Sequence, residues 1–255
     1  MDHPVYELFG KGYCSYSSLK EMLVSPLAFK KYMTTPKKPS AAMDFGKAFD
    51  LRLFSPSEFE KEIFVYDEQK RPNPDKDFRD SANRAWREKI VNDMEGKVVL
   101  KNEELAQIDA MVNRLIDTGV RDTFFANTRV QTKVQGEIEG VPILGYVDSN
   151  SIMLSRATDL KTFGESIDLF PHRAKYKYKY SLQAFIYTSM LKVTDFKFIV
   201  VTKEDPYDVA IFDCSPEFLE VGRMQFLKAK ERLDMFFRKD NPVNLSKFVI
   251  QDVLY

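Results

Sequence analysis

The chain has 255 residues with 38 Lys or Arg and 38 Asp or Glu, a formal net charge of zero. That balance excludes a broadly basic nucleic-acid coat and leaves any DNA contact to local basic patches and bound metal. Two cysteines, Cys14 and Cys214, make neither a disulfide framework nor a four-thiolate cluster and fit a reducing compartment. With no apolar run of transmembrane length and no signal-peptide character in the opening Met-Asp-His-Pro, a cytoplasmic location is expected.

Ser18 stands three residues before Glu21, a capping-box spacing that predicts a helix start. Ser25-Pro26 predicts a second, short helix, since proline suits the first turn; residues 34–40 then read as a loop. Residues 41–54 are predicted helical, with Gly46 and Asp50 one turn apart on the same side. A glycine inside a helix costs about 1 kcal/mol against alanine, so something is expected to pack or pass close to Gly46. Ser55-Pro56 opens another short helix, followed by a strand at residues 63–66. Residues 69–79, with Pro72 and Pro74, form the least regular stretch. Residues 81–94 and 102–118 read as amphipathic helices around a short strand at 97–100. Leu105, Ile108, Met111, Val112 and Leu115 mark the buried face of the second.

From Thr128 the period becomes two. Val130, Val134 and Ile138 fall on one side of an extended run, and Gln131, Lys133, Gln135 and Glu137 on the other. Residues 141–147 and 152–154 are apolar-rich and flank the polar Asp148-Ser-Asn-Ser151, a pattern that predicts a hairpin. A third extended run, 157–163, carries Asp159 and Lys161 on one face, because side chains at i and i+2 of a strand share a side. Asp148, ending the neighbouring strand, is placed to meet them. Carboxylate oxygens suit a hard divalent cation such as Mg²⁺, and a lysine beside it can hold or deprotonate an attacking water. The tripeptide acid-x-Lys also occurs as Glu68-Gln-Lys70, Glu95-Gly-Lys97 and Asp195-Phe-Lys197, so alone it carries no information. The upstream Asp148 and a following helix with Gln183 and Tyr187 set the Asp159 copy apart. Glu137, on the polar face of the same hairpin, is a candidate third acid.

A helix is expected over residues 173–191, with Leu182, Phe185, Ile186 and Ser189 on its buried side. Tyr176, Tyr180, Gln183 and Tyr187 line another side, while Lys175, Lys177 and Lys179 spread around it. This is either a solubilising, aromatic-rich helix start or a face aimed at phosphates, with Gln and Tyr donating to phosphate oxygens. Residues 195–203 and 207–213 read as a hairpin, and 215–238 as a final helix. The only histidines, His3 and His172, have no metal-ligand spacing, so a zinc site is not expected. No Gly-rich phosphate loop, nucleophile elbow or dinucleotide fingerprint occurs.

The order of helix, hairpin ending at Asp148, strand with Asp159-Leu-Lys161 and helix with Gln183-x-x-x-Tyr187 resembles the PD-(D/E)XK nuclease core. Ser17-Ser-Leu-Lys20 followed by Ser25-Pro26 extends the likeness toward the exodeoxyribonuclease VIII (RecE-like) family. So do Gly46-x-x-x-Asp50 before Leu53-Phe-Ser-Pro-Ser-Glu-Phe59, and Glu137-x-x-Gly140-Val-Pro-Ile-Leu-Gly145-x-x-Asp148. The resemblance spans residues 13–214. It implies an α/β fold, a central mixed β-sheet flanked by helices with an N-terminal helical extension. The whole chain would be one nuclease domain: residues 1–126 mainly helical, 127–214 the catalytic core, 215–255 a C-terminal helix and tail. The implied activity is a Mg²⁺-dependent exodeoxyribonuclease, with Mn²⁺ able to substitute, acting 5′ to 3′ on double-stranded DNA ends to leave 3′ single strands for recombination. Asp148, Asp159 and the Leu160 carbonyl would hold the metal, with Glu137 or Asp50 serving a second ion. Lys161 would position the water, and Gln183, Tyr187, Tyr180 and Lys179 would hold the DNA strand. A ring-shaped homo-oligomer, a single-strand annealing partner, the cytoplasm of a bacterial or phage-infected cell and no membrane complete what the resemblance implies. In this family the residue four after that glycine is typically histidine; here it is Asp50. Two rival readings are a RecB-like nuclease of single strands and a catalytically weakened DNA-binding or assembly module on the same core.

Overall fold

Serine and proline punctuate the N-terminal helices. The computed structural model describes residues 5–36, 39–240 and 242–249, so His3 and the C-terminal tail from residue 250 lie outside the description. Helix α1 (Tyr16–Val24) starts earlier than the Ser18/Glu21 spacing suggests. Ser15 is its cap: the Ser15 hydroxyl accepts from the Ser18 N–H at 3.2 Å and the Ser15 N–H donates to the Ser18 hydroxyl at 2.8 Å. Ser18 therefore takes the reciprocal role usually filled by Glu or Gln. Ser25 caps α2 (Pro26–Thr34) and Ser40 caps α3 (Ala41–Phe54), whose first turn carries Asp44, favourable at the positive end of the helix dipole.

Helix α4 (Pro56–Glu62) leads into β1 (Ile63–Tyr66). The proline-bearing stretch after it is anchored by buried Asn83, whose amide nitrogen donates to the carbonyls of Asn73 and Lys76, both at 2.9 Å. Asn83 belongs to α5 (Ser81–Asp93), after which β2 (Val98–Lys101) pairs in parallel with β1. Helix α6 (Asn102–Asp117) buries Ile108, Met111 and Leu115 as its periodicity predicts. A short helix absent from the sequence reading, α7 (Val120–Phe124), follows Gly119 in the left-handed region.

The main sheet has the order β3-β4-β5-β6-β7, comprising β3 (Arg129–Ile138), β4 (Val141–Ser151), β5 (Arg156–Phe163), β6 (Asp195–Thr202) and β7 (Val209–Asp213). Only β5 and β6 are parallel. The polar tetrapeptide from Asp148 is not the turn: β4 runs through it, and the apolar residues Ile152, Met153 and Leu154 form an exposed turn instead. Tertiary partners explain the inversion. The Ser149 hydroxyl donates to the Phe124 carbonyl at 2.9 Å, so a polar strand end is satisfied inside the fold.

Between β5 and β6 the predicted continuous helix is broken. Helix α8 (Phe170–His172) runs into a π-helical stretch, Arg173–Tyr178, and Lys179 turns left-handed at φ 59° before α9 (Tyr180–Leu191). The helix is interrupted there, and Tyr176 is exposed while Gln183 and Tyr187 are buried. Helix α10 (Pro216–Phe236), capped by Ser215, crosses α9 at Gly222, where an added Cβ would lie 2.0 Å from the Ser181 carbonyl oxygen.

Two apolar cores occupy the two faces of the sheet, as period-two alternation requires. Phe163, Phe196, Phe198 and Val200 join α1, α2, α9 and α10 in one. Leu160, Ile199 and Val201 join α3, α6, β1 and β2 in the other. Among the described residues no helix is long and apolar enough to cross a membrane.

Candidate active site

Strands β4 and β5 pair only from Ser149↔Thr158 to Ser151↔Arg156, then diverge. Asp148 and Asp159 stand just past the last pair, at the fork. A strand residue sends its N–H and C=O to the same side. The Leu160 N–H, released from the ladder, donates to the Asp148 carboxylate at 2.7 Å, so the Leu160 carbonyl leaves the strand toward the same fork. The other Asp148 oxygen accepts from the Gln131 side chain at 3.2 Å. Gln131 occupies the register position opposite Asp148, between the pairs Val130↔Ser149 and Thr132↔Val147, and holds φ at 47°. Such backbone strain in a non-glycine residue persists only where its surroundings enforce it.

Asp159 is buried and forms an ion pair with Lys161, two residues along β5. Its second oxygen accepts from the Gln183 amide of α9 at 2.7 Å. The Lys161 ammonium lies 4.9 Å from the Tyr180 ring centre, and Tyr180 stacks on Tyr178 and Phe198 at 5.1 and 5.2 Å. Asp195 and Lys197 repeat the same i, i+2 pairing at 3.1 Å on β6, but there the aspartate reaches solvent and Lys197 is shared with Asp213. Burial of the aspartate, not the tripeptide, distinguishes the Asp159 copy.

Charge and burial work against one another here. Burial first, then the Asp159 charge, push the Asp148 carboxyl up to about 7, against the pull of Lys161, the Leu160 N–H and Gln131. Burial also raises Asp159 against Lys161. Asp50 is raised well above the ordinary carboxylate range by burial and by Asp148 and Asp159, again opposed by Lys161. Burial would lower Lys161, yet Asp159, Tyr180 and Asp148 together hold it well above its ordinary value. Lys161 is therefore an ammonium at neutral pH, able to hold a water or a phosphate but not to take a proton.

Of the residues proposed from sequence, Asp50, Asp148, Asp159, Leu160 and Lys161 gather, with Tyr180 beneath Lys161. Glu137 does not join them. It pairs with Pro142, six residues along β4 from Asp148, about 20 Å at the rise of a strand, and its side chain is exposed. Gln183 and Tyr187 are buried, which removes them from direct strand contact. Gln183 orients Asp159, and Tyr187 lies on the bare backbone of Gly145, where a Cβ would come 2.7 Å from its ring. Lys179 is the left-handed hinge before α9. The expected close packing at Gly46 is absent: a Cβ there would meet nothing within 4 Å. Gly46 instead lines an open cleft of roughly 540 Å³ together with Asp50, Lys161, Tyr178, Tyr180 and Lys203. Gln131 and Lys203 escaped the sequence reading. The register opposite Asp148 and the shared ends of two parallel strands are the signals that find them.

The donor chemistry fits a hard divalent cation: three carboxylates and a backbone carbonyl, all oxygen, with the buried Gln183 Oε1 lacking a hydrogen-bond partner nearby. Among the described residues no three acidic, histidine or cysteine side chains close into a finished cage. Asp148 and Asp159 are turned onto protein donors, while Asp50 has no hydrogen-bond partner among the described residues and lines the cleft beside Lys161.

A family profile, the PDDEXK-like domain of unknown function (DUF3799), matches residues 15–244. The chain belongs to this PDDEXK-like family. Its mixed sheet and flanking helices are those of a PD-(D/E)XK nuclease fold, a fold whose members generally use divalent metals. Among solved structures, a Eubacterium rectale protein provisionally named an exonuclease aligns with a TM-score of 0.64 at 15% identity, covering 95% of this chain and 91% of its own. A phage-related exonuclease from Haemophilus somnus 129PT aligns with a TM-score of 0.34 at 16% identity, covering 61% of this chain and 82% of its own. No curated protein sequence matches the chain.

Proposed function

We propose that this PDDEXK-like protein is a divalent-metal-dependent exodeoxyribonuclease that hydrolyses phosphodiesters at double-stranded DNA ends. The observation that carries the reading is the ion pair of buried Asp159 with half-buried Lys161, oriented by Gln183 and set beside Asp148 at the fork of β4 and β5, open to a cleft. Asp50, Asp148, Asp159 and the Leu160 carbonyl would hold the cation, Mg²⁺ with Mn²⁺ able to substitute. When bound, the cation supplies Lewis-acid polarisation of a phosphoryl oxygen and makes a bound water more acidic. The chain's own residues do the rest. Lys161, fixed as an ammonium by Asp159 and Tyr180, orients the attacking water and offsets the charge developing on the scissile phosphate. Gln183 holds Asp159 in one orientation, as groups behind a metal ligand do. Glu137 has no part in this scheme. Polarity from 5′ to 3′, release of a 3′ single strand for recombination, a ring-shaped homo-oligomer, a single-strand annealing partner and a cytoplasmic setting belong to the same proposal and rest on the RecE-like resemblance.

The test is digestion of end-labelled linear duplex with and without Mg²⁺, beside closed circular and single-stranded DNA. Linear duplex should be degraded only with metal. Asp159→Ala and Lys161→Ala should each lower the rate by about 10²–10³-fold or more, the scale for losing one charge-stabilising group, with the fold intact by circular dichroism. Near-wild-type rates in either variant would overturn the site. Rapid cutting of closed circles would replace the exonuclease by an endonuclease, and a strong preference for single strands would favour the RecB-like rival.

A further inference from the structure

Two lysines border the cleft, and their situations differ. Lys161 is answered by Asp159. Lys203, one residue past β6, has no carboxylate within ion-pair distance among the described residues. Its backbone is pinned on both sides: the N–H donates to the Phe163 carbonyl at 2.8 Å, and the carbonyl accepts from the Gln107 side chain at 2.5 Å. The parallel register that pairs Phe163 with Thr202 places Lys203 beside the end of β5, where both strands deliver their carboxyl ends to the cleft. Its ammonium sits 4.1 Å from the ring centre of Phe45 on α3, one residue before Gly46. Gly46 and Gly164 form part of the lining and leave it bare, since a Cβ at either would meet nothing within 4 Å.

A cation half withdrawn from water and held over an aromatic ring, without a counter-anion, is stabilised by any anion that enters. Burial lowers the pKa of Lys203, with Glu104 a weaker opposing influence, which agrees with an unanswered charge. Asp50 shares the cleft but lies beyond ion-pair distance of Lys203. The anion that fits beside a phosphodiester-cleaving cluster is another phosphate of the same strand.

We propose that Lys203 binds a backbone phosphate of the substrate strand, adjacent to the scissile one, and so registers the strand in the cleft between α3 and the ends of β5 and β6. The proposal rests on the nuclease reading for the identity of the anion. It separates the duties of the two lysines: Lys161 acts at the reacting phosphate, Lys203 at a neighbouring one.

The experiment compares wild type, Lys203→Met and Lys203→Arg. Methionine keeps an unbranched stem over Phe45 and removes the charge; Lys203→Gln gives the same test if the methionine variant folds poorly. Binding of short 5′-phosphorylated single-stranded and duplex oligonucleotides is followed by fluorescence anisotropy in EDTA across a salt series. Loss of one charged contact should weaken binding about tenfold. It should also flatten the slope of log K against log salt by roughly 0.7 on single strands and 0.9 on duplex. Lys203→Arg should restore both. With Mg²⁺, Lys203→Met should raise KM more than it lowers kcat. Unchanged affinity, salt slope and KM in a well-folded Lys203→Met variant would overturn the proposal. The binding arm needs no turnover, so a wild-type protein that binds DNA but never cuts it overturns the nuclease reading and leaves Lys203 to be decided by its own salt slope.

Discussion

Under the proposed function, Asp148 is the acid whose protonation would govern whether the cluster at the fork takes up a cation. Its folded-state pKa of about 7 lies above the ordinary aspartate value. A raised acid stabilises the fold while protonated, so its contribution is fully present below the unfolded pKa and is lost as pH rises through the folded one. Asp50 and Asp159 shift in the same direction. The metal-free protein should therefore melt at progressively lower temperature between about pH 5 and pH 8. Mg²⁺ bound as proposed would compete with those protons, so the rise in melting temperature it produces should grow over the same range. Asp148→Asn should flatten both trends, and differential scanning fluorimetry in EDTA and in Mg²⁺ checks this; coincident curves for wild type and variant would remove Asp148 from the cluster. At this scale the sequence was readable where chemistry depends on local spacing. Asp159 and Lys161 share a face because they are two apart on a strand. Gln131 and Glu137 lie on the same strand and face, yet only the register of β3 on β4 shows that one meets Asp148 while the other pairs near the hairpin turn.

At the scale of elements, α3 has the bounds predicted for it, Ala41–Phe54, with Ser40 as its cap in the structure, and Ser25-Pro26 announces the start of α2. The strand end at Asp148 was not legible, because its polar residues are satisfied by partners distant in sequence, such as the Phe124 carbonyl. The helix predicted over 173–191 failed for a local reason: six residues wind as a π-helix and Lys179 turns left-handed, and no spacing rule announces either. Gly46 makes a test of α3 itself. The helix tolerates a methyl there, since nothing lies within 4 Å of an added Cβ. Gly46→Ala should raise stability by about 0.5–1 kcal/mol by restricting the unfolded chain, read as a shift in the urea midpoint. Gly46→Phe should fold equally well but fill the cleft and suppress DNA digestion. Destabilisation by alanine would mean that the wall at Gly46 is not open.

The whole molecule carries no net charge, so under the proposed function its attraction to DNA would come from local groups at the cleft, with few phosphates neutralised at once. The slope of log K against log salt for duplex is accordingly expected to correspond to only a few contacts at about 0.9 each, and anisotropy titrations measure it. A slope near that of a broadly basic binder would point to a second, larger DNA surface away from the cleft. The sheet that holds the acids is also a wall with a different supporting layer on each side. Asp159 is steadied by Gln183 of α9 in one layer, while Asp50 and the Phe45 beneath Lys203 stand on α3 in the other. Neither layer alone possesses a working set of groups. The site behaves as a seam, and a seam reports on the fit of both cloths: loosening of α3 or of α9, even with the opposite layer undisturbed, separates the groups that must meet. Catalysis in this protein is then a gauge of how well two independently packed halves stay in step, and heat should silence it as soon as the weaker half slackens, before the stronger one melts.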